Sequence, residues 1–430
     1  MIFTPTNYRL QTVATGRLFD DEGWTLDDKQ CDKPSMVRPV YEKKQLEVKD
    51  GACLGLYRYA DWLPIKTMLR HPSEPITYKS EGLAQRLGLH NLYITFNGWW
   101  PERNARMTTC SFKEMEAYSV CARFGDDLKG KVLVVASAGN TARAFAKVCS
   151  DNDIKLLLCV PQDNINALWF DQPLKPCVKL ITTESGSDYF DAINLSNVVC
   201  TFDGYLAEGG AKNIARRDGM GTTMMSATTF IGRTPDFYFQ AVGSGTGAIA
   251  AWEANLRFIG DGRYGSHKAR LIVSQNKPFV PMYDAWCADS RAMLPYDAEQ
   301  ARKDAAEICA PVLSNRKPPY GLAGGLYDAL KDTDGDILAI SNDEANAAKA
   351  LFEETEGIDT YHAAAVATAS LQQAVARGTV KADDVVMLNI TGGGERRFHA
   401  EHEVYYLKPD HIFKIDFTKE EVERVLAEMK

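Results

Sequence analysis

Short apolar runs alternate with helix-forming segments from about residue 130 onward, and this alternation constrains the fold more than any other feature. Lys131-Val132-Leu133-Val134-Val135 is such a run, closed by Ala136-Ser137-Ala138-Gly139, and residues 140–149 then read as a helix. Further runs fall at 155–160, 178–182, 237–242, 270–274, 337–341 and 384–389. Segments rich in Ala, Glu and Lys separate several of them, at 248–258, 342–356 and 361–377. Strands that are apolar throughout, each followed by a helix, imply parallel β–α units in sheets covered on both faces. The chain is therefore expected to be an α/β protein. At 430 residues it exceeds what one core sustains, since domains run to roughly 150 residues. No repeat or flexible linker separates its parts, so a second domain is expected to form from chain that leaves and re-enters the first.

Composition excludes several classes. Hydrophobic residues make up 45% and charged residues 25%, which suits a globular chain and not a disordered one. The net charge is −8, which argues against a nucleic-acid binder, whose partner demands a basic face. No stretch approaches the ~18 apolar residues of a membrane span. Met1-Ile2-Phe3-Thr4-Pro5-Thr6 lacks the pattern of a secretory signal. The ten cysteines are scattered, none closer than ten positions to the next, so neither a redox pair nor a zinc ribbon is expected and no metal site is assigned. Reduced core cysteines suit a cytoplasmic protein.

In open α/β sheets ligands bind beyond the carboxyl ends of strands. Three polar or Gly-rich turns stand there: Ser137-Ala138-Gly139-Asn140-Thr141, Gly243-Ser244-Gly245-Thr246-Gly247, and Thr391-Gly392-Gly393-Gly394. The second follows a strand and opens a helix, where backbone N–H groups and the macrodipole favour an anion. Its glycines run G-x-G-x-G, and the next strand ends Ser274-Gln275 without an acid for a ribose. The Lys-Ser/Thr of a P-loop is also missing, so a phosphate monoester fits better than a nucleotide. Lys113 lies in Cys110-Ser111-Phe112-Lys113-Glu114, after the turn Gly98-Trp99-Trp100-Pro101 and at the start of an amphipathic helix. A lysine among helix formers is ordinarily solvated. At such a boundary it can instead point into a cleft, as Schiff-base chemistry requires.

Together these residues resemble the fold-type II pyridoxal-phosphate enzymes, of tryptophan synthase β-like fold, and within them the threonine synthase group. The likeness covers roughly residues 55 to 400. Leu56-Tyr57-Arg58-Tyr59 with Trp62-Leu63-Pro64 resembles the segment ahead of the catalytic domain. Ser111-Phe112-Lys113 matches the family's Ser-Phe-Lys motif, residues 137–141 its S-x-G-N-T loop, residues 243–247 its phosphate cradle, and Thr391-Gly392 its late turn. The resemblance implies two domains, each a mostly parallel sheet flanked by helices. Residues 56–104 with 226–430 would form a large domain holding the cofactor phosphate, and 105–225 a smaller mobile domain carrying Lys113 and the Asn140 loop. Residues 1–55 would be an extension, with Cys31 the lone trace of a zinc ribbon.

The resemblance also implies roles. Lys113 would hold pyridoxal 5′-phosphate as an internal aldimine and later act as base on the substrate Cα–H. Asn140 would meet the ring hydroxyl oxygen, the N–H groups from Gly243, Ser244, Gly245, Thr246 and Gly247 the phosphate, and Thr391 the ring nitrogen. Ser111, Ser137, Ala138, Gly139 and Thr141 would face the substrate. The stretch Thr108-Thr109-Cys110 departs from the usual Pro-Thr-Gly, and Arg143 stands where small residues are usual. These departures resemble the cysteate synthase branch found in methanogens, on the route to coenzyme M. That branch joins O-phospho-L-serine and sulfite through an aminoacrylate to give L-cysteate and phosphate. Arg143, with Arg103 or Arg106, is expected to bind phosphate or sulfite, because guanidinium forks suit oxyanions. A threonine synthase acting on O-phosphohomoserine, a phosphoserine sulfhydrylase and a catalytically inactive relative are the alternatives. No nucleic-acid or membrane partner is expected, and a homo-oligomer is.

His399-Ala400-Glu401-His402 reads as a charged surface segment rather than a ligand pair, and residues 419–430 as a helix docking one apolar face. The Trp99-Trp100 pair is compatible with core packing or with a wall of the site entrance.

Overall fold

The structure is a computed structural model that describes residues 4–51, 53–125, 128–137, 139–187, 189–315 and 318–429. Two sheets organise it. The larger has six strands in the order Asp336–Ile340, Arg270–Asn276, Phe237–Ala241, Val385–Ile390, Asn91–Phe96 and Ile76–Lys79. All neighbours are parallel except the last, which runs antiparallel to Asn91–Phe96. The smaller has five parallel strands in the order Tyr205–Ala207, Val132–Ala136, Leu156–Pro161, Val178–Thr183 and His411–Phe413.

Side-chain alternation assigns each sheet two faces. Phe239, Ile272 and Leu388 of the large sheet pack with the helices Asn342–Glu356 and His362–Ala376. Their neighbours Tyr238, Val273 and Met387 pack on the opposite side with Thr246–Asp261. In the small sheet, Leu133, Val135 and Leu158 face the helices Lys113–Phe124 and Asn140–Asp151. Burial on both sides is why these strands read as uninterrupted apolar runs. The helix Asn342–Glu356 shows how local signals set its bounds. Ser341 and Glu344 form a capping box at the start, and Gly357 ends it at φ +80°. No helix among the described residues is long and apolar enough to cross a membrane.

Three stretches show how the chain is shared between the two sheets. Residues 411–428 belong with the small sheet. His411–Phe413 pairs with Val178–Thr183, and Phe413, Val422, Val425 and Leu426 cover the face bearing Val134, Leu157, Cys159 and Ile181. The helix Ile214–Ile231 crosses the drawn limit at 225/226 because it packs on both sides. A Cβ on Gly219 would stand 2.3 Å from Met115 O and one on Gly221 3.2 Å from Ala250 O, so small residues let three helices meet. The segment Gly55–Trp62 likewise sends Leu56 and Tyr57 into one core and Tyr59 and Trp62 into another.

The described residues of the N-terminal extension form a small sheet of their own. Leu18–Phe19, Tyr8–Thr12 and Val37–Tyr41 form an antiparallel sheet. Buried polar pairs lock it to the body: Arg123 Nη2 to Asp21 Oδ2 at 2.9 Å, and Tyr41 Oη to Asp218 Oδ2 at 2.6 Å.

Candidate active site

Cys110 holds the turn before Lys113 in the left-handed region, at φ +52°, where the related motif carries glycine. The buried Glu114 fixes the same turn: its carboxylate accepts from Thr109 N at 2.7 Å, Thr109 Oγ1 at 2.9 Å and Ser73 Oγ at 2.5 Å. Residues 110–112 then lie antiparallel to the Thr391 turn. Ser111 bridges Gly392, Phe112 N–H donates to Thr391 O at 3.0 Å, and Gly393 N–H donates to Cys110 O at 3.2 Å. Gly392 permits this approach, since a Cβ there would stand 2.2 Å from the Tyr361 ring. Lys113 and Thr391, 278 positions apart, are thereby neighbours through backbone bonds. Thr391 is buried, and its hydroxyl has no protein partner among the described residues.

Lys113 opens the helix Lys113–Phe124 with its side chain 21% exposed. Its Nζ lies 3.1 Å from Glu116 Oε2 and 4.0 Å from Met220 Sδ. Phe112 packs with Met220 and Ala250, one turn into the helix Thr246–Asp261. The helix that follows the 243–247 loop thus packs, one turn in, against the residue preceding the lysine.

That loop is shaped by close approach. A Cβ on Gly243 would stand 2.9 Å from Val312 O, and one on Gly247 2.6 Å from the Gln240 amide. Gly245 adopts φ +78°, which glycine adopts freely. Ser244 Oγ and Thr246 Oγ1 lie 2.8 Å apart. The N–H groups of Gly247 and Ala248 have no acceptor among the described residues, as the first turn of a helix requires. A phosphate dianion fits this cradle of small residues and free donors.

Asn140 starts the helix Asn140–Asp151. Arg143 Nη2 donates to Asn140 Oδ1 at 2.9 Å. Arginine only donates, so the asparagine carbonyl faces Arg143 and its amide N–H groups remain for another acceptor. Ser137 Oγ accepts from Gly139 N at 3.2 Å, and Ser137 and Gly139 are buried. Thr141 is half-buried, and Ala138 lies outside the described residues.

The three arginines have different surroundings. Arg143 is buried and its donors meet protein: Thr109 O at 2.9 Å, Ala167 O at 2.8 Å and Tyr361 Oη at 2.8 Å, with Trp169 stacked 4.1 Å below. It orients Asn140. Arg103 lies over the rings of Tyr78 and Trp100, at 3.9 and 4.7 Å, and Arg106 is exposed. Neither makes a hydrogen bond, ion pair or ring contact with Lys113, Asn140 or the 243–247 loop among the described residues.

Sequence reasoning passed over Glu116, Arg216, Glu208 and Tyr361. Glu116 carried a signal, being one turn from Lys113; the others arrive through tertiary contacts. Trp100 is core, against Phe96 and Tyr78. Trp99 packs on Phe398 and His402 and donates to Glu401. His399 and His402 are half-buried against Trp169 and Phe398, while Ala400 and Glu401 between them are exposed and Glu401 pairs with Arg397. Burial raises the Tyr361 hydroxyl well above its ordinary range, so it stays protonated beside Arg143.

Comparison with known proteins places these features in context. Residues 79–392 match the family described as "Pyridoxal-phosphate dependent enzyme". The chain is 48% identical over 382 residues to the cysteate synthase of Methanosarcina mazei, covering 88% of this chain and 91% of that one. It is 46% identical over 425 residues to the cysteate synthase of Methanocella arvoryzae, covering 98% and 99%. Among solved structures, maize serine racemase superposes with a TM-score of 0.57 at 13% identity, over 76% of this chain and 94% of that one. Threonine deaminase isoform 2 from Solanum lycopersicum gives 0.52 at 18%, over 76% and 82%. These two likenesses are of fold.

Proposed function

The chain belongs to the cysteate synthase family of pyridoxal-phosphate-dependent enzymes, and from that premise we propose that it replaces the phosphate of O-phospho-L-serine with sulfite, giving L-cysteate and phosphate. The observation that carries this reading is the identity of 46–48% to cysteate synthases over nearly the whole chain. The arrangement of Lys113, Thr391 and the 243–247 loop supports it.

Lys113 is the residue proposed to hold the cofactor's aldehyde carbon. Asn140 would donate to the ring hydroxyl oxygen, the 243–247 loop would hold the phosphate, and Thr391 would meet the ring nitrogen. When bound, the cofactor supplies an electron sink that acidifies the substrate Cα–H and lets the Cβ substituent leave. A neutral hydroxyl at Thr391 does not enforce protonation of the ring nitrogen as a carboxylate would. Lys113 would also be the base that takes the substrate Cα proton and returns it. Arg143 keeps the Asn140 amide turned outward. Ser137, Gly139 and Thr141 line the same turn and would offer donors to the substrate α-carboxylate. Closure of the smaller sheet over the larger would exclude water, which competes with sulfite for the activated Cβ.

The test is a visible absorption titration of the purified holoenzyme with O-phospho-L-serine before any nucleophile is added, with O-phosphohomoserine in parallel. A spectral change with phosphoserine, followed by L-cysteate on adding sulfite, is the expected result. A response to phosphohomoserine alone, with threonine as product, would overturn the reading. Cysteine formed from sulfide, with no reaction of sulfite, would make the chain a sulfhydrylase.

A further inference from the structure

Four charged side chains converge at the free end of Lys113. Glu116 is fully buried and places Oε2 3.1 Å from Lys113 Nζ. Arg216, near the start of the helix Ile214–Ile231, reaches within 3.4 Å of Glu116 Oε1. The same guanidinium forks onto Glu208, Nε to Oε1 at 2.8 Å and Nη2 to Oε2 at 2.7 Å. Glu208 is itself fastened by accepting from Gly210 N at 2.9 Å. Among the described residues Glu116 Oε1 receives no hydrogen bond although it is buried, so this carboxylate has capacity to spare. Among the described residues, Tyr189 is a further titratable group facing Arg216 and the two carboxylates.

Two cations and two anions cancel only while Lys113 is an ammonium. Once its amine is neutral or joined to the cofactor, a buried excess of negative charge would remain, which is costly unless a proton compensates it. We infer that Glu116 is a positioning residue for Lys113: it holds the free amine as an ammonium and takes its proton when the amine must act as nucleophile or base. Arg216 and Glu208 fix Glu116 in place for both states. The transfer is balanced within the pair. One Nζ–H bond breaks, its electron pair stays on nitrogen, and one O–H bond forms on Glu116 Oε2. The inference rests on Lys113 being the cofactor lysine.

The test compares wild type with Glu116→Gln and Glu208→Gln. In cofactor-free protein, the rate at which trace acetic anhydride acetylates Lys113 is followed by peptide mass spectrometry across pH. Removing the Glu116 charge leaves two cations facing one anion, which disfavours the ammonium. Acetylation at a fixed pH near 8 should rise by about tenfold, one pH unit of displacement, and the whole profile should move to lower pH. Glu208→Gln, acting through Arg216, should move it the same way by less. In the holoenzyme the pH at which the visible absorbance changes should move with it. An unchanged acetylation profile in folded Glu116→Gln overturns the inference; if that variant does not fold, an unchanged profile in Glu208→Gln overturns it. Borohydride fixing the cofactor to a different lysine would instead overturn the functional reading and leave the acetylation result standing.

Discussion

Arg143 bonds two main-chain carbonyls, Asn140 and Tyr361, so its contribution is orientation. Lysine has a single ammonium and cannot reproduce that fork. Arg143→Lys should therefore lower kcat by about 10- to 100-fold, the usual effect of losing a group that orients a ligand, with KM for phosphoserine changed less. Steady-state kinetics with each substrate varied checks this; a large rise in the KM for sulfite alone would mean that the guanidinium meets the nucleophile after all. Lys113→Ala should abolish borohydride fixation of the cofactor, read as the loss of the reduced adduct in the mass of the protein. The arginine's place near Asn140 was legible from a three-residue spacing. Its saturation by Thr109, Ala167 and Tyr361 was not, because those partners come from remote parts of the chain.

Among elements, the turn at Gly392 carries the tightest constraint on the site. Gly392→Ala must push a methyl into the Tyr361 ring and Cys110 O, so it should cost about 1–3 kcal/mol of stability and weaken cofactor retention. Urea denaturation of the holoenzyme and of the cofactor-free protein measures both. The strands that frame the site were readable as apolar runs because both their faces are buried. Lys131-Val132-Leu133-Val134-Val135 falls within one residue of the strand Val132–Ala136, and the helix Asn342–Glu356 matches its expected limits. The helix Ile214–Ile231 escaped notice for a physical reason. It is buried almost all round, so no amphipathic period marks it, and Gly219, Gly221 and several threonines disguise its propensity. The strand His411–Phe413 is too short for a pattern to register.

For the whole molecule, the N-terminal sheet and the last described helix both pack onto the body. The last helix, Lys419–Glu428, seals the small sheet. Leu426→Ala should cost about 2–5 kcal/mol, lowering the denaturant midpoint of the smaller sheet, read by hydrogen exchange in residues 132–183. The N-terminal sheet carries an acid-sensitive tie. Arg17 beside Asp28, helped by Thr12, holds the Asp28 carboxyl down at about 2. An unfolded aspartate titrates near about 3.9. The stabilisation is therefore present above that value and is lost as pH falls through about 2. Asp28→Asn should flatten the fall of the denaturant midpoint between about pH 4 and 2. The account's central claim is the replacement of phosphate by sulfite on a three-carbon amino acid, and its most direct measurement is product stoichiometry. With O-phospho-L-serine and sulfite supplied to the holoenzyme, one L-cysteate should form for each phosphate released. Phosphate accompanied by pyruvate and no cysteate, or no phosphate from phosphoserine at all, would contradict it.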